Sequence, residues 1–212
     1  MIRKLKNVDT VVHTYYGITI AVGNTYIIEE IDTLVLADDE QLQTDIDDGK
    51  IEVYVDTTKV LNTQDAIDVI KYGDVEIKTV GGVTRSFTFD QVRNKWLSTE
   101  TITIMCSRDY YYTQGYLRAM DGLTLSGYHG FVMPWDGTIV AMSTSRKDTD
   151  SDWIMVKING DSTSAKYETI GLNTYKTNID QNFDAGDVLT FSVSTGAIDS
   201  PIAMAFIKWR KV

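Results

Sequence analysis

Residues 201–209 read PIAMAFIKW, and this stretch decides the fold. Side chains alternate along a strand, so Ile202, Met204 and Phe206 take one face and Ala203, Ala205 and Ile207 the other. Both rows are apolar. A strand apolar on both faces is a central or subunit-interface strand, not an edge. The same period runs upstream. In residues 182–194, NFDAGDVLTFSVS, Leu189, Phe191 and Val193 alternate with Thr190, Ser192 and Ser194. Residues 127–143, GYHGFVMPWDGTIVAMS, place two strand-like runs on either side of Pro134-Trp135-Asp136-Gly137, a turn signal. Residues 101–105, TITIM, and 153–158, WIMVKI, add further strands. About eight short strands at this spacing specify a β-sandwich or jelly roll.

Composition agrees. The 212 residues include 12 Tyr, 6 Phe and 4 Trp against only 2 Pro, a mix that favours strands. That length can bury a proper core without disulfides, and Cys106, the single cysteine, permits no intrachain bridge, which fits a reducing compartment such as a cytosol. No secretory leader and no membrane span is legible: residues 1–6 are charged, and no run approaches about 20 apolar residues.

Charge divides the chain. Residues 1–75 carry 15 Asp and Glu against 6 Lys and Arg, a net of −9; residues 76–212 carry 15 against 14, a net of −1. An acidic N-terminal third argues against nucleic acid or an anionic membrane as partner, because phosphate binding needs clustered Lys and Arg.

That acidic third reads as a small α+β unit. Residues 11–20 and 25–31 are strand-like, with Val22-Gly23-Asn24 as their turn. Residues 34–46 switch to helical period, and Gly49 stops them. Residues 50–55 alternate as a strand. Asn62 caps a second helix, 63–72, which Gly73 ends. Residues 74–94, with Gly81-Gly82 and mixed short strands, read as a connecting region. The expected chain is therefore mainly β: a small α+β N-terminal domain (1–75), a connecting region (76–94) and a C-terminal antiparallel jelly-roll β-sandwich (95–212).

Several blocks carry a resemblance. They are Gly127-Tyr128 with Gly130-Phe131-Val132-Met133-Pro134, Asp136-Gly137-Thr138-Ile139, Trp153 with Val156-Lys157-Ile158-Asn159-Gly160, and Phe183-Asp184-Ala185-Gly186-Asp187-Val188-Leu189. Through them residues 96–212 resemble the jelly-roll heads, of tumour necrosis factor and complement type, found on bacteriophage virion proteins. The N-terminal part, through residues 13–17, Tyr26-Ile27-Ile28, residues 38–49, Ile51 and Val53, is similar to virion attachment domains that precede fibre or decoration heads. The resemblance implies a structural, non-enzymatic protein of the virion surface, assembled in the host cytoplasm as a homotrimer. Its partners would be itself and a major capsid or other virion protein. On this reading the last strand, through Ala203, Ala205, Ile207 and Trp209, forms the trimer interface. The alternative is a tail-fibre or receptor-binding protein that reads host-surface glycans through aromatic residues such as Trp135 and Tyr128.

Reactive residues are few. Cys106 lies in a strand pattern, where an inert buried thiol is the usual case. His13 and His129 sit beside apolar strand residues, and no nucleophile elbow is present. Asp45-Ile46-Asp47-Asp48-Gly49 opens like a calcium loop, but the glycine comes one position early and Asp56 stands where the bidentate Glu belongs. Asp148, Asp150 and Asp152 alternate in a loop that could converge on a hard cation, although a solvated loop is the simpler reading. The Tyr110–Tyr111–Tyr112 triplet suits either an interface or a core. No phosphate loop or dinucleotide fingerprint exists, and no cofactor is expected.

Overall fold

The computed structural model describes residues 2–29, 32–73, 75–80, 83–108, 111–112, 115–119, 124–126, 129–147, 152–169, 172–193 and 198–211. The chain is mainly β, with antiparallel sheets and few helices. It divides into two units, Met1–Trp96 and Leu97–Val212.

In the first unit, β1 (Arg3–Asn7), β2 (His13–Tyr15), β3 (Ile18–Ile20), β4 (Thr25–Ile27), α1 (Thr33–Ala37), α2 (Glu40–Asp47), β5 (Ile51–Val55), β6 (Thr58–Lys59) and α3 (Thr63–Tyr72) follow in order. The main sheet runs β4-β1-β5-β6. Leu5, Ile51, Val53 and Val55 are buried, as are Leu36, Leu42, Ala66, Val69 and Ile70 of the helices. Asn62 accepts from the Asp65 amide and so caps α3 at the expected residue. At the other end of α3, Arg3 donates to the carbonyls of Ile70, at 2.9 Å, and of Val69, which also accepts from the Gly73 amide.

Two expectations change here. Residues 11–20 do not form one strand that turns at Val22-Gly23-Asn24. They fold back on themselves: β2 pairs β3, His13 opposite Ile20, through Tyr16 and Gly17 at φ 45° and 86°. Two successive positive φ values suit the twist of a tight hairpin, and Gly17 adopts its value without a Cβ clash. β4 then pairs β1, Leu5 opposite Tyr26. The expected single helix over 34–46 breaks at Asp38, and Asp39 caps the second piece by accepting from the Leu42 amide at 2.9 Å.

Residues 76–94 are not a mere connection. β7 (Val75–Val80) and β8 (Val83–Asp90) form an antiparallel hairpin, joined by β9 (Lys95–Ser98) into a three-stranded sheet. Phe87, Phe89 and Trp96 are buried, with Phe89 edge-on to Trp96.

The second unit contains β10 (Ile102–Ser107), β11 (Tyr111–Tyr112), β12 (Gly115–Tyr116), β13 (Phe131–Val132), β14 (Gly137–Ser145), β15 (Asp152–Ile158), β16 (Asp161–Thr169), β17 (Asn173–Lys176), β18 (Gln181–Phe183), β19 (Val188–Val193), β20 (Ile198–Asp199) and β21 (Ile202–Trp209). Its antiparallel pairs are nested. β10 meets the last strand, β21; β12 and β13 meet β19; β14 meets β17 and β18; β15 meets its neighbour β16. First with last, second with second-last is the pairing of a jelly roll. It yields two sheets, β10-β21-β14-β17 with β18, and β12-β19-β15-β16 with β13. Ile104, Cys106, Met142, Ala205 and Ile207 of one and Ile154, Val156, Leu189, Phe191 and Val193 of the other are buried.

The alternation of β21 is as expected, but its two rows have different roles from those assigned. Ala203, Ala205, Ile207 and Trp209 are at most 4% exposed within a single chain. They fill the sandwich core and so cannot be the trimer interface. The outward row is Ile202, Met204, Phe206 and Lys208, all partly exposed.

Candidate functional site

The outer face of the β10-β21-β14-β17 sheet is the strongest candidate surface. Strand pairing puts Met105, Met204, Ser143 and Tyr175 in one row across the sheet. Thr103, Phe206 and Ala141 form the next row, and Tyr175 leans edge-on against Phe206 with ring centroids 6.0 Å apart. Ser107, Ile202, Ser145 and Asn173 form a third. A shallow cavity of about 360 Å³ opens between Ile202, Met204, Tyr175 and the two serines. No charged residue lines it. Such a face offers shape, apolar area and hydroxyl groups, and these rows hold no carboxylate, histidine or thiol. Sequence periodicity finds this face, since it is the other half of the alternation in residues 201–209.

The end of the sandwich is closed by aromatic and charged groups. Trp135 is half-buried and packs edge-on against Trp209 at 5.2 Å, and Trp209 packs against Phe183 at 6.4 Å. A ring held this way plugs the sandwich, where sugar stacking needs an open face. Tyr128 lies outside the described residues. Beside the plug, Asp136 accepts from the Ala185 amide, Asp187 from the Asp184 amide, and Arg210 donates to Asp184 at 2.6 Å and to the Phe183 carbonyl at 3.0 Å. Gly186, at φ 91°, makes the turn that lets these loops meet. The DAGD block is thus a clasp that ties two turns to the last strand.

The reactive candidates resolve into structural roles. Cys106 is fully buried, and burial pushes its thiol up to about 12, so it carries no thiolate near neutral pH. Nδ1 of His129 is 3.0 Å from the Ser126 hydroxyl, and the Ser126 amide donates to the His129 carbonyl. Asp45 is not part of a cation loop. Its buried carboxylate accepts from the Tyr15 hydroxyl at 2.7 Å, from Gln41 at 3.0 Å and from Lys50 at 3.3 Å, and lies 3.0 Å from His13 Nδ1. His13 Nε2 in turn lies 2.9 Å from Asp9. Both ring nitrogens face carboxylates of this unit, so the group is a clamp joining the β2–β3 hairpin to α2. Among the described residues, no three His, Cys, Asp or Glu converge as metal ligands. Asp148 and Asp150 lie outside the described residues, as does the side chain of Asp152; the same holds for Tyr110 and the side chains of Tyr111 and Tyr112. No described helix is long and apolar enough to cross a membrane.

No family model and no curated relative matches this chain. A solved structure titled "Crystal Structure of FLHE" aligns over 53% of this chain and 100% of its own, at 10% identity and a TM-score of 0.30. A likeness that slight carries no argument about fold or function.

The carboxylates of the first unit make its stability pH-dependent. Burial raises Asp45, but the bonds from Tyr15, Gln41 and Lys50 outweigh it, and the carboxyl ends below its ordinary value. The Thr10 amide and then His13 lower Asp9, Lys59 lowers Glu52, and the Ile2 amide and Gln91 lower Asp56. A carboxyl depressed by folding stabilises the fold above its unfolded value, about 4, and loses that contribution as pH falls through the folded value. The helical signal of this unit is therefore expected to melt at a steady temperature between pH 7 and about pH 5, and at markedly lower temperatures from about pH 4 downward. Circular dichroism melts across that range check it; an unchanged transition at pH 3 would show that the carboxylates are not coupled to folding.

Proposed function

We propose that the chain is a structural virion protein, a capsid decoration or head-fibre component, whose N-terminal unit anchors it to another virion protein and whose jelly roll is displayed outward as a homotrimer. The observation that carries this reading is the apolar patch of the outer face built from Met105, Met204, Phe206, Tyr175 and Ile202. Soluble chains rarely leave such a face open, and its regular sheet geometry suits a second and third copy. The sequence resemblance to virion jelly-roll heads points the same way, and the clasped, plugged sandwich end suits a protein that works by assembly. The glycan-reading alternative loses Trp135 to the plug.

Light scattering on the full chain is expected to give three copies. Phe206→Lys changes a partly exposed outward residue, so the monomer should fold normally while assembly weakens by about 30-fold or more, the scale of an interface hot spot. A wild-type chain that is monomeric at high concentration, or a Phe206→Lys variant that assembles as well as the parent, would remove the interface. Antibody labelling of intact virus particles locates the chain, and its absence from them would remove the virion reading.

A further inference from the structure

The acidic N-terminal unit carries a second apolar surface of a different kind. Val8, Val11, Val12 and Val22 are 41%, 55%, 57% and 49% exposed. One buried amide gathers the backbone segments that carry them. The Asn7 side chain, on a residue with no exposed surface, donates to the carbonyls of Val11 and Ile20, both at 2.8 Å, and accepts from the Asp9 amide at 2.9 Å. The Asn7 carbonyl accepts from the Gly23 amide at 3.1 Å, and the Val8 amide donates to the Lys50 carbonyl at 3.0 Å. The clamp through Asp9, His13 and Asp45 fixes the far side of the same loop.

An exposed loop of polar residues needs no such anchoring. Here the fold uses a buried Asn and a buried carboxylate to hold branched apolar side chains out into water. Valine has one stiff torsion, so a surface of pinned valines loses little entropy on binding. We propose that Val8, Val11, Val12 and Val22 form the docking patch by which the N-terminal unit holds a partner protein, and that the partner presents an apolar surface rimmed by Lys and Arg.

Charge selects that occupant. The unit, residues 1–96, carries 17 Asp and Glu against 10 Lys and Arg, a net −7, and at the other end of the β2–β3 hairpin Tyr16 shares a concavity with Asp38, Asp39 and Glu40. Two copies of so acidic a unit repel one another, and phosphate-bearing nucleic acids and anionic lipids are repelled too. A basic-rimmed protein surface is attracted, and its rim would meet these carboxylates while the valines fill its apolar centre.

This assignment rests on the anchoring role proposed above. Its test uses the full chain and virus particles assembled without it, with co-sedimentation as the readout. Unaltered protein should bind, and the doubly substituted V11S/V12S protein, with an unchanged melting curve because both side chains are already half-exposed, should bind at least about 10-fold more weakly. D38N/E40Q should slow association and flatten its dependence on salt between about 50 and 500 mM. If the unaltered protein binds and V11S/V12S binds equally well, the patch is wrong and the anchoring role stands. If binding is equally strong at all salt concentrations, the basic rim is wrong. If the unaltered protein does not bind particles at all, the anchoring role falls and the patch falls with it.

Discussion

Asp45→Ala is expected to destabilise the N-terminal unit by about 3–5 kcal/mol, enough to unfold it partly at room temperature. The carboxylate is 1% exposed and its two oxygens serve four groups, the Tyr15 hydroxyl, Gln41, Lys50 and His13. Removing it leaves the Tyr15 hydroxyl, itself on a 1% exposed residue, with no acceptor in the clamp. It also releases the β2–β3 hairpin from α2, because His13 and Tyr15 reach the helix only through this residue's oxygens among the contacts described. The described helices all lie in residues 33–72, so their dichroism reports on this unit alone. Glu40→Ala is the control, since Glu40 is exposed on the same helix and should cost about 0.5 kcal/mol or less. Urea midpoints for the two variants that coincide would mean the clamp contributes nothing.

Asp45 also marks where sequence reading stops. In the chain it stands among Asp47 and Asp48, and an acidic helix end is indistinguishable from a solvated face. Its burial depends on Tyr15, 30 residues away, and the hairpin that delivers Tyr15 was itself obscured. Tyr16 is a poor candidate for positive φ, so Val22-Gly23-Asn24 is the more obvious turn. β1 was equally hard to see. RKLKN has one apolar side chain, and its other inward residues, the part-buried Arg3 and the buried Asn7, are polar groups held through hydrogen bonds rather than through hydrophobicity. The β7–β8 hairpin is harder to place for a related reason: VTRSFTFD carries a charge in each row, Arg85 in one and Asp90 in the other, although VEIKTV alternates cleanly. By contrast α3 was legible to the residue, because Asn62 and Gly73 are strong local signals at both ends. The jelly roll was legible because its strands alternate so regularly.

What alternation leaves open is parity. Residues 201–209 show two apolar rows, and nothing local says which one meets the opposite sheet. The neighbours decide. Ala203 lies opposite Cys106 and Thr144, and Ala205 opposite Ile104 and Met142, so the small side chains occupy the interior, where the two sheets close to about 10 Å. The larger Met204 and Phe206 point outward. An outward row of large apolar residues on a central strand is what makes the outer face a candidate interface at all.

That parity makes Ala205→Lys the most damaging substitution considered. Ala205 has no exposed surface, and its inward neighbours, Ile104, Cys106, Met142, Ala203 and Ile207, offer no charge partner. Lysine there adds four heavy atoms to a filled core, about 1–3 kcal/mol of overpacking, and buries an unpaired ammonium, which costs several more. The sum, about 5 kcal/mol or above, is on the scale of the whole stability of such a unit, so the sandwich should fail to fold. One residue on, Phe206→Lys places the same charge on the opposite face and should leave the fold intact. The pair therefore separates core from interface within two positions of one strand. Near-ultraviolet dichroism should be lost in the first variant and kept in the second. An Ala205→Lys chain that stays folded and loses only its assembly would reverse the parity and return the interface to the alanine row.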